Sequence, residues 1–292
     1  MPPPLRVNYI IGHLLKSQLH CLPELQAWYD NTTMNYSPPS LDISKSPSAR
    51  VTQLEDGTWH LEIPTQPQRG YRLAQLDDHG SLRRQNFPWK SPLTLSLQAR
   101  VSAADLPGTW GFGLWNDPFS FMLAYSKLVP RIPTLPQAAW FFHASPQNYL
   151  SFVDDQPANG FLAATFSSTK IPTALLVLSS PILALALIPT TAQLVRRLFR
   201  RVVHQDACQI HTTEMEWHTY SLQWEHDWVR FHLDGTQFFE TKISPQPPMS
   251  LVIWVDNQYA ALPPSGRFKF GTLPNPEPAW LEIREIRLQD HG

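Results

Sequence analysis

One stretch of the chain constrains its fold more than any other, Trp217 to Asn257, which reads WHTYSLQWEHDWVRFHLDGTQFFETKISPQPPMSLVIWVDN. Tyr220, Leu222 and Trp224 alternate with Thr219, Ser221, Gln223 and Glu225, and after His226-Asp227 the apolar set resumes as Val229, Phe231 and Leu233. Alternation of period two puts one face of a strand on a core and leaves the other in water. Asp234-Gly235 between strand-like runs is a strong short-range signal for a hairpin. A third apolar run, Leu251 to Val255, follows a proline-rich link. This region predicts an antiparallel sheet, and the rest of the chain extends it.

Further strands are expected at Thr58–Ile63, Tyr71–Leu76, Leu93–Val101, Ala138–His143, Tyr149–Val153 and Gly160–Phe166, with the sheet beginning near Val51. The run TWGFGLWNDPFSFML carries glycines that would let something approach a strand backbone. Trp280–Leu288 alternates except at Arg284-Glu285, which predicts a bulge. Residues 1–48 read as an N-terminal extension, with a short helix at Tyr9–Leu15 and an irregular Pro/Ser/Asn/Thr-rich loop at Asn31–Ser48. Residues 49–292 read as one β-sandwich domain. The 29 prolines oppose long helices and suit strands and loops.

The net charge of −1 and the absence of a basic patch exclude nucleic acid as the expected partner. Cys21 and Cys208 read as two separate thiols in a reducing compartment. The N-terminus lacks the pattern of a secretory signal, which points to a cytoplasmic protein, with peripheral membrane attachment left open.

That alternative comes from an insertion at about 170–203. From Ile171 to Ile188 there is no charge, and Arg196, Arg197, Arg200 and Arg201 follow. A spanning helix needs about 20 apolar residues, and Pro172 and Pro181 interrupt this run. A single span, a buried helical insertion and a segment dipping into one leaflet with its arginines at the headgroups all stand open, so a membrane surface is an expected partner through 171–201.

The strand order resembles a known family. LSLQARVSAADLPGTWGFGLWND, HTYSLQWEHDWVRFHLDGTQFFE, PMSLVIWV and the closing WLEIREIRLQ resemble scaffold segments of family-16 glycoside hydrolases, over about 50–290. The resemblance implies the concanavalin-A-like jelly roll, two antiparallel sheets with a ligand cleft on the concave face. The family's Glu-x-Asp-x-Glu strand does not occur. The matching stretch is Ala138-Ala139-Trp140-Phe141-Phe142-His143-Ala144-Ser145, without a carboxylate. Retaining glycosidases need two carboxyl groups about 5 Å apart.

Two functions are therefore expected. One is a binding module holding a carbohydrate or glycolipid in the cleft. The other is a non-hydrolytic enzyme, a cyclase, hydratase or isomerase, acting on a lipophilic or terpenoid substrate or another apolar small molecule. A structural, self-associating protein is the third reading. Asp117 and His143 are the expected acids, set against the commoner readings of Asp117 as a turn residue and His143 as a core histidine. Trp110, Trp115, Asn116, Trp140, Tyr149, Trp254, Asp256 and Asn257 are the expected ligand-binding residues, most of the tryptophans reading as core and two or three as lining the cleft. No cofactor or resident metal is expected. If Trp115-Asn116-Asp117 and Trp254-Val255-Asp256-Asn257 meet at one rim, their oxygens would suit calcium.

Overall fold

The protein is described here by a computed structural model covering residues 41–66, 70–118, 131, 134–169, 189–264 and 268–291. The expected helix at Tyr9–Leu15, Cys21 and the uncharged run 171–188 lie outside these residues. Cys208 is a free, half-buried thiol.

In chain order the strands are β1 (Asp42–Lys45), β2 (Arg50–Gln53), β3 (Trp59–Ile63), β4 (Leu73–Asp77), β5 (Leu93–Val101), β6 (Thr109–Trp115), β7 (Ala138–Ala144) and β8 (Gly160–Ser168). A helix, α1 (Pro189–Val202), precedes β9 (Val203–Gln209), β10 (His218–Trp224), β11 (Val229–Leu233), β12 (Thr236–Thr241), β13 (Ser250–Asp256), β14 (Gln258–Ala261), β15 (Lys269–Thr272) and β16 (Ala279–Asp290). They form two seven-stranded antiparallel sheets. The first runs β1-β4-β13-β6-β7-β8-β9 and the second β12-β11-β10-β5-β16-β3-β2, while β14 and β15 make a separate hairpin. This is an all-β jelly-roll sandwich carrying a helix.

The expected hairpin forms where the Asp-Gly pair predicts it. Leu233 pairs with Thr236, and Asp234 and Gly235 both take positive φ, as a primed two-residue turn requires. The bulge expected at Arg284-Glu285 is present, with a register shift between Arg284 and Arg287 and Glu285 at φ 54°. The expected strand at Tyr149–Val153 is absent, and only an isolated bridge joins Tyr149 to Ala261. In that segment Ser151 turns the chain on itself, its Oγ donating to Val153 O and accepting from Val153 N. Conversely, β1 falls inside the expected loop. It pairs with β4 at the edge of the first sheet, and Asp42, Ile43 and Lys45 are exposed, so no alternating apolar pattern marks it.

The core between the sheets takes one phase of every long strand. Leu93, Leu95, Leu97, Ala99 and Val101 of β5 face Trp110, Phe112 and Leu114 of β6, Phe141 of β7 and Ile253 of β13. The second sheet then turns Thr94, Ser96, Gln98 and Arg100 outward, as a half-wetted antiparallel sheet should. The first sheet does not. Its outward phase carries Trp115, Ala138, Phe142, Leu162, Ala164, Phe166 and Val252, a second apolar cluster onto which Phe199 and Val202 of α1 pack. A sheet apolar on both faces must be covered or must hold something.

Candidate functional site

The outward face of the first sheet is where the chain departs from a plain sandwich. On β6 the outward positions are Gly111, Gly113 and Trp115. In the ladder Gly111 lies between Trp254 of β13 and Phe142 of β7, and Gly113 lies between Val252 and Trp140. A β-carbon on Gly111 would fall 2.8 Å from Trp254 Cη2 and 2.5 Å from Phe141 O, and one on Gly113 would fall 2.5 Å from the Cβ of Trp140. The glycines do admit a close approach to the backbone, and the approaching groups are the chain's own side chains.

Those side chains form one layer. Trp140 stands at its centre, with ring centroids 5.4 Å from Trp254, 6.3 Å from Trp115, 5.5 Å from Phe142 and 6.0 Å from Phe166. Tilted and edge-on geometries are the ones aromatic quadrupoles favour. Trp254 Nε1 donates to Thr109 Oγ1 at 2.9 Å. The indole N–H groups of Trp115 and Trp140 are buried and find no acceptor among the described residues. A buried donor left unmade costs about 1–3 kcal/mol, so these two are the least satisfied polar groups of the layer. Three expected ligand residues, Trp115, Trp140 and Trp254, are thus brought together. Phe142 and Phe166 join them, and the apolar phase Leu162-Ala164-Phe166 of β8 was the signal for the latter.

The other expected residues are placed elsewhere. Trp110 points the opposite way, into the inter-sheet core, as alternation from Gly111 requires. His143 follows it. Its ring stacks on Trp110 at 5.7 Å, and the outward positions of β7 belong to Ala138, Trp140 and Phe142. His143 therefore faces the inter-sheet core and not the aromatic layer. Neither ring nitrogen makes a hydrogen bond of good geometry among the described residues, and Glu214 Oε2 lies 3.7 Å from Nδ1. Burial, against the opposing pull of Asp105 and the Leu106 backbone, pushes the imidazole down to about 4, while burial pushes the Glu214 carboxyl up to about 7.

Asp117 is no cleft acid either. It is 1% exposed and its Oδ2 accepts from Arg131 Nη1 at 2.7 Å. Arg131 also donates to Leu82 O and Gly80 O, and Arg84 donates to the carbonyls of Asn116 and Asp117. Asn116 clips the chain instead of facing a ligand, through Nδ2 to Leu135 O and Oδ1 from Gln137 N. Asp117 lies beyond Trp115, and His143 is paired with Trp110. At about 3.4 Å per residue that separates the two expected acids by roughly 20 Å.

The same register separates the two Trp–Asp tips. β13 runs antiparallel to β6, with Ser250 opposite Trp115 and Asp256 opposite Thr109. Asn116-Asp117 and Asp256-Asn257 therefore stand at opposite ends of the sheet, and the shared rim that would suit calcium does not form. Among the described residues no cluster of three metal-ligating acids, histidines or cysteines occurs. Asp256 accepts from Thr109 N and Oγ1 and from Gln258 N, and burial pushes its carboxyl up to about 7. Asn257 is fully buried and ties Gly70 O, Leu273 O and Arg72 N together. Tyr149 lies under the Arg196 guanidinium, 5.3 Å from its ring centre.

No family model matches the chain, and curated proteins show no significant match to it. Solved structures resemble it distantly. Bacillus licheniformis β-glucanase is 9% identical, with a TM-score of 0.42 over 87% of this chain and 92% of that one. The legume lectin-like domain from Entamoeba histolytica is 8% identical, with a TM-score of 0.42 over 86% and 90%. A sialidase is 9% identical with a TM-score of 0.38, and the chain, matched over 86% of its own length, spans only 17% of that protein. These scores carry no argument about the site. The sheet order and register define the chain as a two-sheet antiparallel jelly roll.

Proposed function

We propose that this sandwich is a non-hydrolytic binding protein that holds a glycolipid or comparable apolar molecule, one bearing a few acceptor oxygens, against the Trp115–Trp140–Trp254 layer. The observation carrying this reading is the pair of buried, unpartnered indole N–H donors, on Trp115 and Trp140, within an otherwise apolar face. Rings offer stacking area and the two donors offer fixed points for acceptor oxygens.

The surroundings favour an amphiphile over a free sugar. Around Trp140 the described outward neighbours are Ala138, Phe142, Trp115, Trp254, Ala164, Phe166 and Val252. A sugar pressed there would leave most hydroxyls unpaired, at about 1–3 kcal/mol each. Hydrolysis gains no support from the layer, whose described members carry no carboxylate. The outward phase of the first sheet holds Asp42 and Asp77, paired across β1 and β4, and Asp256, which is set about 14 Å from Asp77 because Asp77 pairs with Val252, four residues away. Asp77 and Asp42 lie three and four strands from Trp140 at the edge of the sheet, and Asp77 accepts from Gln75 Nε2 and Gly80 N. A catalytic role for Asp117 or His143 gains no support from their positions.

The test is a tryptophan-fluorescence titration with dodecyl glucoside below its micelle concentration, beside a free glucose oligosaccharide. The alkyl glycoside should bind, Trp140→Ala should weaken it at least tenfold, and the oligosaccharide should not bind. Tight binding of the oligosaccharide alone restores a lectin-like reading. Binding of the alkyl glycoside that ignores Trp140→Ala overturns the site.

A further inference from the structure

Helix α1 has a second face that the aromatic layer does not use. Ala192, Val195, Arg196, Phe199 and Val202 recur at helical spacing and turn towards the sandwich. Phe199 stacks on Phe152 with centroids 5.4 Å apart. Arg196 is 3% exposed and locks the helix down by donating to Ser151 O at 2.6 Å, Leu262 O at 2.7 Å and Asp154 Oδ1 at 2.6 Å. Arg196 is therefore an anchor and is unavailable to a headgroup, contrary to the expectation that all four arginines face one.

The opposite side is built differently. Leu194 is 51% and Leu198 39% exposed, one turn apart. Arg197 and Arg201 flank them, exposed and without an ion-pair partner among the described residues, while Arg200 is paired to Asp154 at 3.1 Å. Leucines flanked by unpaired arginines on a docked helix form an amphipathic surface without an acidic side chain of its own. The eighteen residues preceding the helix, 171–188, contain no charge.

From this placement we infer that the outer face of α1, Leu194, Arg197, Leu198 and Arg201, is a docking surface for an anionic lipid bilayer. The leucines enter the headgroup boundary and the two free guanidiniums meet lipid phosphates. Charge complementarity selects this occupant over a second copy of the chain, because like-charged arginines would then face each other. The inference does not rest on the ligand reading, since these side chains point away from the Trp140 layer.

The experiment is co-sedimentation of the full chain with vesicles of phosphatidylcholine alone or mixed with phosphatidylglycerol. The chain should pellet with the anionic vesicles and be released by salt. Arg197→Glu/Arg201→Glu should lower the partition coefficient by roughly tenfold or more. Leu194→Ser/Leu198→Ser should lower it as well, and Arg287→Glu on the second sheet should leave it unchanged. All four side chains are exposed, so unchanged circular dichroism is expected of both variants. Failure to bind anionic vesicles, or equal binding of the charge-reversed variant, overturns the proposal. So does a dimer that the same substitutions dissociate.

Discussion

The indole of Trp254 occupies the space over Gly111 that a β-carbon would need, with Cη2 2.8 Å from that position. Its Nε1 is held by Thr109 Oγ1 at 2.9 Å, so the ring has little room to retreat. Gly111→Ala should therefore cost about 1–3 kcal/mol of stability. The new methyl group also meets Phe141 O at 2.5 Å, a backbone atom that cannot swing away. Denaturant unfolding followed by fluorescence checks this, and an unchanged midpoint would show that the layer is loosely packed.

Arg131 pairs its guanidinium with a buried Asp117. Arg131→Met removes the guanidinium from which Asp117 Oδ2 accepts and the donors to the Gly80 and Leu82 carbonyls. A loss of about 3–5 kcal/mol is expected. Adding Asp117→Asn should recover part of it, because the neutral amide needs no counter-ion and Asn tolerates the positive φ of 49° at this position. Additive losses in the double variant would refute the pairing.

Asp256 gives the protein a pH dependence of one sign. Burial raises its carboxyl to about 7 in the folded chain, against about 3.9 unfolded. Between these values the folded state holds a proton that the unfolded state has released. Its stabilising contribution is full below about pH 4 and is lost as pH rises through about 7. Asp256→Asn should therefore flatten this limb and gain on the parent protein as pH rises from 4 to 8. Parallel stability curves for the two proteins across that range would contradict the raised value.

His143 contributes with the opposite sign. Burial lowers its imidazole to about 4, against about 6.5 unfolded. The unfolded chain then binds the extra proton, so stability is full above about pH 6.5 and falls as pH drops towards 4. His143→Phe keeps a ring against Trp110 and removes two unpartnered nitrogens. Its stability relative to the parent should rise as pH falls from 7 to 4. A constant difference over that interval would mean that the imidazole is not held neutral.

Much of the scaffold is legible because alternation is local. The sequence-derived bounds of β5, Leu93–Val101, coincide with the strand, and Asp234-Gly235 and Arg284-Glu285 mark their turn and bulge. Edge strands β1 and β9, with patterns DISK and VHQDACQ, lack that periodicity because only part of each is buried.

The site was legible in composition and not in arrangement. Alternation by itself determined that Trp140 and His143, three residues apart on one strand, face opposite ways, and that Gly111, Gly113 and Trp115 share a side. Which side meets the partner sheet, and what fills the space over the glycines, depends on strands distant in sequence. Trp254 arrives over Gly111 from 143 positions away, through the β13–β6 register. That register also sends Asp117 and Asp256 to opposite ends of the sheet, and Arg131 neutralises Asp117 across a gap that no local pattern announces. The sequence alone determined two antiparallel sheets and an aromatic-rich strand without carboxylates. Tertiary structure decided which aromatics form one layer and that the acids serve as buried clamps, because pairing register and burial are set by contacts far apart along the chain.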